Sequence, residues 1–234
     1  MSKISRSQGR VGGMGLAIAG TIISGLSAMF LLFFVVPMVL AIALPAMMVS
    51  KVAGNEASAI ATLSALSEAQ GMFRDAAEVD QDGDGTGEYG FLSELAGAAP
   101  CRGSGKTLQD PYLSPDLGLV DAAGVLSSSG YNFKVYLPLA DGTAAEETTG
   151  PPAADAGSAP SQAARFLVYA WPQNRRGGRR TFVLDQSGAI FQSRAAVPPG
   201  GVPGWDWAFR DLNGDGKTDF LNDGIDASTW ARVR

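Results

Sequence analysis

Two short stretches of this chain bring oxygen-bearing side chains together at a fixed spacing. Asp80-Gln-Asp82-Gly-Asp84-Gly85 and Asp211-Leu-Asn213-Gly-Asp215-Gly216 each place them at alternate positions ahead of a glycine. In a tight turn this spacing converges carboxylates on one point, which suits a hard cation, calcium above all. A twelve-residue calcium loop closes on a bidentate Glu, but Phe91 and Asn222 stand at that position here. Glu88 and Asp219, each at position nine, can supply the missing carboxylate, and the Lys217 carbonyl adds an oxygen to the second loop. The candidate ligands are thus Asp80, Asp82, Asp84 and Glu88 in one loop and Asp211, Asn213, Asp215, Lys217 and Asp219 in the other. The bland reading is that Asp-Gly and Asn-Gly simply make turns.

Little else in the chain points to catalysis. There is no histidine among the 234 residues, which removes Ser-His-Asp and Cys-His chemistry and imidazole metal sites. The single Cys101 can form neither an intrachain disulfide nor a thiolate cluster, and no base stands beside it in the sequence. The acidic residues sit in Gly-rich loops instead of being spread over a scaffolded cleft, so a carboxylate-pair hydrolase is disfavoured and no enzyme is expected. Asn174-Arg-Arg-Gly-Gly-Arg-Arg180 reads either as a solvated hairpin tip or as a contact for an acidic partner surface.

The elements that must hold these loops are set by how hydrophobicity is distributed. From Gly12 to Val49 the chain is apolar or small, with no charge in 38 residues. As a helix that run is roughly 57 Å long, against about 30 Å for a bilayer core, and it is too long for a signal-peptide core. Lys3, Arg6 and Arg10 precede it, while the chain from Lys51 onward carries 15 Lys/Arg against 23 Asp/Glu, a formal charge of −8. By the positive-inside rule residues 1–13 form a basic cytoplasmic leader and the acidic part lies across the membrane. That acidity makes nucleic acid an unlikely partner. From 51 to 78 the pattern turns amphipathic: Val52, Ile60, Leu63, Leu66 and Phe73 share a face, with Glu56, Ser58, Thr62, Ser64 and Glu68 largely elsewhere. One helix is predicted over residues 14–77, with Gly54-Asn55 its only plausible bend and Pro37 and Pro45 inside its apolar half.

At this point the chain resembles the type IV pilins and type II secretion pseudopilins. The resemblance rests on Ala41-Ile-Ala-Leu-Pro45-Ala46, on Lys51, and on Asn55-Glu56 through Leu63 and Gln70 to Phe73. It covers residues 14–95 well and the rest loosely, through segments such as Gly87-Glu-Tyr-Gly90 and Gly130-Tyr-Asn-Phe-Lys-Val-Tyr136. It implies a filament-core helix over 14–50, self-association through that helix, contact with other pilins or an assembly machinery, and leader cleavage at Gly13-Met14. The sequence departs from the family at the acidic residue expected fifth in a mature pilin: Ile18 or Ala28 stands there, according to register. The second acidic loop is also similar to the Asp-x-Asn-x-Asp-Gly loops of dockerin-like modules.

The remainder, 79–234, reads as a β-rich head. Strand-like runs at 131–137 and 165–171 and a hairpin of 181–184 with 189–192 around Asp185-Gln-Ser-Gly188 predict three or four antiparallel strands packed on the amphipathic helix. Residues 140–164, rich in Ala, Gly, Pro and Thr, read as a disordered excursion. Trp205, Trp207, Phe209, Phe220, Leu221 and Trp230 flank the second acidic loop and are expected to fasten the chain end to the sheet. The expected class is α+β, and the expected role is a structural pilin-like or pseudopilin-like subunit of a surface filament or secretion pseudopilus, with its helix in the bacterial inner membrane before assembly. The alternative is a single-pass envelope protein with a calcium-stabilised head that never polymerises.

Overall fold

The computed structural model of the protein describes residues 10–174, 176–194, 201–210, 212 and 217–233, leaving aside the side chains of 10–17 and 43–46. Helix α1 spans Arg10–Phe30 and helix α2 Val36–Asp75, joined by a π-helical turn at Leu31–Val35. The turn has a cause in Pro37, which has no N–H to donate and whose ring crowds the carbonyl four residues back. A wider turn just ahead of it, closed by the Val36 N–H on the Leu31 carbonyl, absorbs the misfit. Helix α2 passes Asn55 without a break and ends two residues earlier than its periodicity predicts. Ala77 adopts φ +49°, so its N–H reaches the Arg74 carbonyl and that of Glu78 the Phe73 carbonyl. That is a Schellman stop with alanine in the position glycine normally marks.

Two compact units divide at Ser50/Lys51. In the first, every described residue from Ile18 to Ser50 is exposed apart from the half-buried Val35. It offers one helix long and apolar enough to cross a membrane, by length and composition.

The second unit is α+β. Its strands are β1 (Leu126–Ser128), β2 (Tyr131–Pro138), β3 (Ala144–Glu146), β4 (Leu167–Pro172), β5 (Thr181–Asp185), β6 (Ile190–Ser193), β7 (Phe209–Arg210), β8 (Gly224–Ile225) and β9 (Ala231–Arg232). The antiparallel main sheet runs β1-β2-β4-β5-β6-β9, with β3 also on β2; β7 and β8 pair separately. Alternation along the central strands gives the sheet two faces, both buried. Tyr131, Phe133, Val135 and Leu137, with Val168, Ala170, Phe182 and Leu184, form one core with Leu63, Leu66, Ala69 and Phe73 of α2. Tyr136, Tyr169, Trp171 and Val183 point the other way, into a second core with Trp205, Trp207, Phe209, Phe220 and Trp230. The aromatic chain end therefore fastens to the sheet, as its composition suggests. Tyr169 lies at the centre of that core: its hydroxyl donates to the Trp205 carbonyl at 3.0 Å and accepts the Ala208 N–H at 2.7 Å.

Three expectations need correction. Residues 140–164 are not a structureless excursion: they hold β3 and a short helix, Ala159–Ala164, and Glu147, Ser158, Ala159 and Gln162 are buried. The arginine turn is solvated only in part: Arg176 and Arg179 are exposed, but Arg180 pairs with Glu56 at 2.6 Å and the Arg179 N–H donates to the same carboxylate at 2.9 Å. Glu56 accordingly lies on the buried side of α2, not the polar side. At Asn55, the one plausible bend of the predicted helix, α2 stays continuous, and the side chain donates to the Gly177 carbonyl at 2.9 Å and ties the helix to that turn. Arg175 lies outside the described residues.

Candidate functional site

The first acidic loop leaves the Schellman stop of α2 and returns to the core at Glu88, where the Glu88 N–H donates to the Val79 carbonyl at 3.0 Å. Inside this closure the loop folds on its own side chains. Asp80 accepts from the N–H groups of Gly83 at 2.8 Å and Gly85 at 3.1 Å, Asp82 from Asp84 at 3.2 Å, and Asp84 from Thr86 at 2.6 Å. Gly83 and Gly85 have φ of +72° and +82°, conformations that only glycine adopts without strain. Gly87 lies so close to the Arg74 carbonyl that a Cβ would overlap it, which lets the loop lie against the helix end.

Three of the four expected ligands converge. Asp80, Asp82 and Glu88 each present a carboxylate oxygen within 4.8 Å of the other two. Asp84, at position five, stands outside that group and spends its oxygen on the Thr86 N–H. Asp80 and Asp82 are open to solvent, whereas Glu88 is 0% exposed. One Glu88 oxygen accepts the Gln81 N–H at 2.9 Å; the other, Oε2, is buried with no hydrogen-bond partner among the described residues. Burial pushes the Glu88 carboxyl above its ordinary range, against the opposing pull of the Gln81 N–H.

Behind the loop lies a buried polar network that no local pattern signals. Arg102 and Glu94 form an ion pair at 3.0 Å with side chains 1% and 0% exposed. Arg102 also donates to the Gln162 side chain at 2.6 Å and to the Tyr89 carbonyl, and its guanidinium lies 4.9 Å from the Phe91 ring centroid. Gln81 bridges loop and network, donating to Gln162 at 3.2 Å and accepting the Asp155 N–H at 2.6 Å. Gln70 on α2 clamps Gly90 through both its N–H and its carbonyl, at 2.8 and 2.7 Å. Phe91, which stands where the loop's bidentate Glu is lacking, is fully buried in the first core. Glu147 accepts the Leu92 and Ser93 N–H groups, each at 3.1 Å, and burial raises its carboxyl to about 7.

No protein-family model matches the chain, and no curated protein or solved structure matches it.

The second acidic loop is only partly described. Asp211, Asn213 and Asp215 lie outside the described residues, as does Gly216; Lys217 and Asp219 are described. The Asp219 carboxylate accepts the Leu221 N–H at 2.8 Å and the Asn222 amide at 2.6 Å. The residue that closes this loop is one that counting to position twelve missed. Asp223, 2% exposed, accepts the Leu212 N–H on one oxygen at 2.9 Å and the Asp219 N–H on the other at 2.8 Å. Its place one residue past Asn222 and directly before Gly224 is a turn signal that could have found it.

Cys101 is buried in the first core, and burial pushes its thiol up to about 11, which makes it unreactive at neutral pH. Gly13 and Met14, the expected processing junction, fall within α1. Residues 1–9 of the leader lie outside the described residues.

Proposed function

We propose that the protein is a pilin-like structural subunit, anchored in the bacterial inner membrane by its N-terminal helix with the head on the extracytoplasmic side, and that it assembles into a surface filament or secretion pseudopilus. The observation that carries this reading is helix α2 itself. It begins among exposed apolar residues and runs without interruption into a stretch whose Leu63, Leu66, Ala69 and Phe73 face is buried under an antiparallel sheet. Eighteen large apolar side chains between Ile18 and Val49 are exposed. At roughly 1.5–3 kcal/mol for covering each, their burial is worth tens of kcal/mol, so this segment requires lipid or other helices around it. The basic residues Lys3, Arg6 and Arg10 ahead of it and the acidic head behind it favour the stated orientation.

In this role the chain does no chemistry of its own. The head is the part presented outward, and the apolar helix supplies both the anchor before assembly and the contact between copies, or with other pilins of the assembly machinery, after it. Negative-stain microscopy of the surface material sheared from cells that express the native protein tests the proposal. Filaments labelled by an antibody against the head are expected. Protein confined to the membrane fraction, with no labelled filament, would overturn polymerisation and favour a single-pass envelope protein.

A further inference from the structure

We propose that Asp80, Asp82 and Glu88 form a binding site for one calcium ion on the head. The proposal does not depend on whether the protein polymerises.

Two independent features support it. The first is convergence: three carboxylates from a nine-residue stretch bring oxygens within 4.8 Å of one another, the span covered by two calcium–oxygen bonds of about 2.4 Å. The N–H groups of Gly83, Gly85 and Asp84 orient Asp80 and Asp82 while leaving each oxygen a free lone pair. The second is an unmet requirement inside the protein. Glu88 is fully buried, its Oε2 lacks a donor among the described residues, and its carboxylate faces the two aspartates. The buried cation whose charge acts on Glu88, Arg102, gives its hydrogen bonds elsewhere, to Glu94, Gln162 and the Tyr89 carbonyl, and leaves Oε2 without a donor. Protonation would neutralise Glu88 but leave Asp80 and Asp82 repelling each other across the same small space. A divalent cation satisfies all three carboxylates together. The donors are all hard oxygens, which excludes a preference for thiolate- or imidazole-seeking metals. Magnesium needs shorter bonds of about 2.1 Å in near-ideal octahedral geometry and keeps several of its waters, whereas calcium accepts the irregular set of oxygens that a loop supplies.

Calcium there would also have a structural consequence. Gln81 joins the loop to Gln162 and Asp155, and Glu88 precedes Tyr89, whose carbonyl holds Arg102. An ion bound at the loop therefore braces the junction between the end of α2 and the buried network.

The test is isothermal calorimetry of calcium chloride into the full-length chain in detergent micelles after chelator treatment, with thermal melts in parallel. Wild-type protein is expected to bind calcium saturably and to melt higher in calcium than in chelator. Asp82→Asn and Glu88→Gln are each expected to lose one bound equivalent, or to weaken it at least about tenfold. Glu88→Gln keeps the acceptor for the Gln81 N–H and so preserves the fold, which near-UV circular dichroism checks. An equivalent that both variants retain belongs to another loop and does not support the site. No uptake by wild type, or identical stoichiometry and affinity in both variants, would overturn the proposal, and equal affinity for magnesium would overturn its assignment to calcium.

Discussion

The two acidic loops share a sequence signature but differ in what their buried carboxylate meets. In the first, Glu88 is buried with one oxygen on a backbone N–H and the other unpartnered, and its carboxylate lies beside two others. In the second, Asp223 is equally buried, yet each of its oxygens accepts a backbone N–H. In the first loop the alternating acidic residues ahead of glycine make a turn closed on its own side chains, whereas Asp211, Asn213 and Asp215 of the second lie outside the described residues, so the contrast rests on the two buried carboxylates. What separates the two buried carboxylates is their hydrogen-bond account: one leaves an oxygen unpartnered and the other is satisfied within the protein. That account depends on residues outside the loop.

The sharpest test of this contrast lies behind the first loop. Arg102→Met is expected to cost about 3–5 kcal/mol, because Glu94 would remain buried without its counter-charge. Chemical denaturation of the full chain measures it. A loss below about 1 kcal/mol would mean that the first loop is not backed by a charge network and that the two loops are alike in their support.

The pH dependence comes next. The Glu147 carboxyl moves from 4.5 to about 7 on folding, mainly through burial. Between those values the folded protein holds a proton that the unfolded chain has released, so the contribution of Glu147 to stability is fully present below pH 4.5 and is lost as pH rises toward 7. At about 1.36 kcal/mol per unit the decline approaches ~3 kcal/mol. Glu88 contributes in the same direction in chelator, since its pKa is also raised. Because burial raises the Glu88 pKa, calcium competes there with a proton, and the gap between melts in calcium and in chelator should widen as pH rises. A stability that rises across this window would contradict both assignments.

How much of this was legible follows the range of the interactions. The amphipathic face of α2, the strands at 131–137 and 181–184 and the hairpin at Gly188 were readable because period and turn chemistry are local. The helix end was read two residues late because Ala77, not glycine, takes the left-handed position. Residues 140–164 were misread because their composition hides β3, which adds only three residues to the edge of β2, and because Glu147 and Gln162 find their partners 55 and 60 positions away. The Glu56–Arg180 pair spans 124 positions, and so turned a residue assigned to the polar side into a buried anchor. In the first acidic loop the convergence of Asp80, Asp82 and Glu88 was legible, but the burial of Glu88 and the exclusion of Asp84 were not.

Asp223→Ala sharpens the comparison from the other side. It removes the acceptor for the Leu212 and Asp219 N–H groups and is expected to cost about 2 kcal/mol, since charge-assisted bonds are worth more than neutral ones and both donors are partly buried. Replacement by Asn should also destabilise, because its amide would turn a donor toward one of two N–H groups. Thermal melts of both variants provide the measurement, and a wild-type melting temperature in either would show that this loop does not rest on Asp223.

The smallest expected effect discriminates best, because its sign differs between the loops. Glu88→Gln in chelator replaces an ionisable carboxyl with an unpartnered oxygen by a neutral amide while the Gln81 N–H keeps its acceptor. Burial already disfavours the ionised form, so removing the charge should leave the head as stable at pH 7.5 or raise stability by less than about 1 kcal/mol. The corresponding change at Asp223 should destabilise, because both of its oxygens are in use. In calcium the order reverses for the first loop alone: wild type gains stability by linkage, about 2.7 kcal/mol at a hundredfold excess over the dissociation constant, and Glu88→Gln does not. Melts of both amide variants, with and without calcium, give four differences from one experiment. If Glu88→Gln in chelator is as damaging as Asp223→Asn, the Glu88 carboxylate already has a partner within the protein, and the distinction between the loops fails.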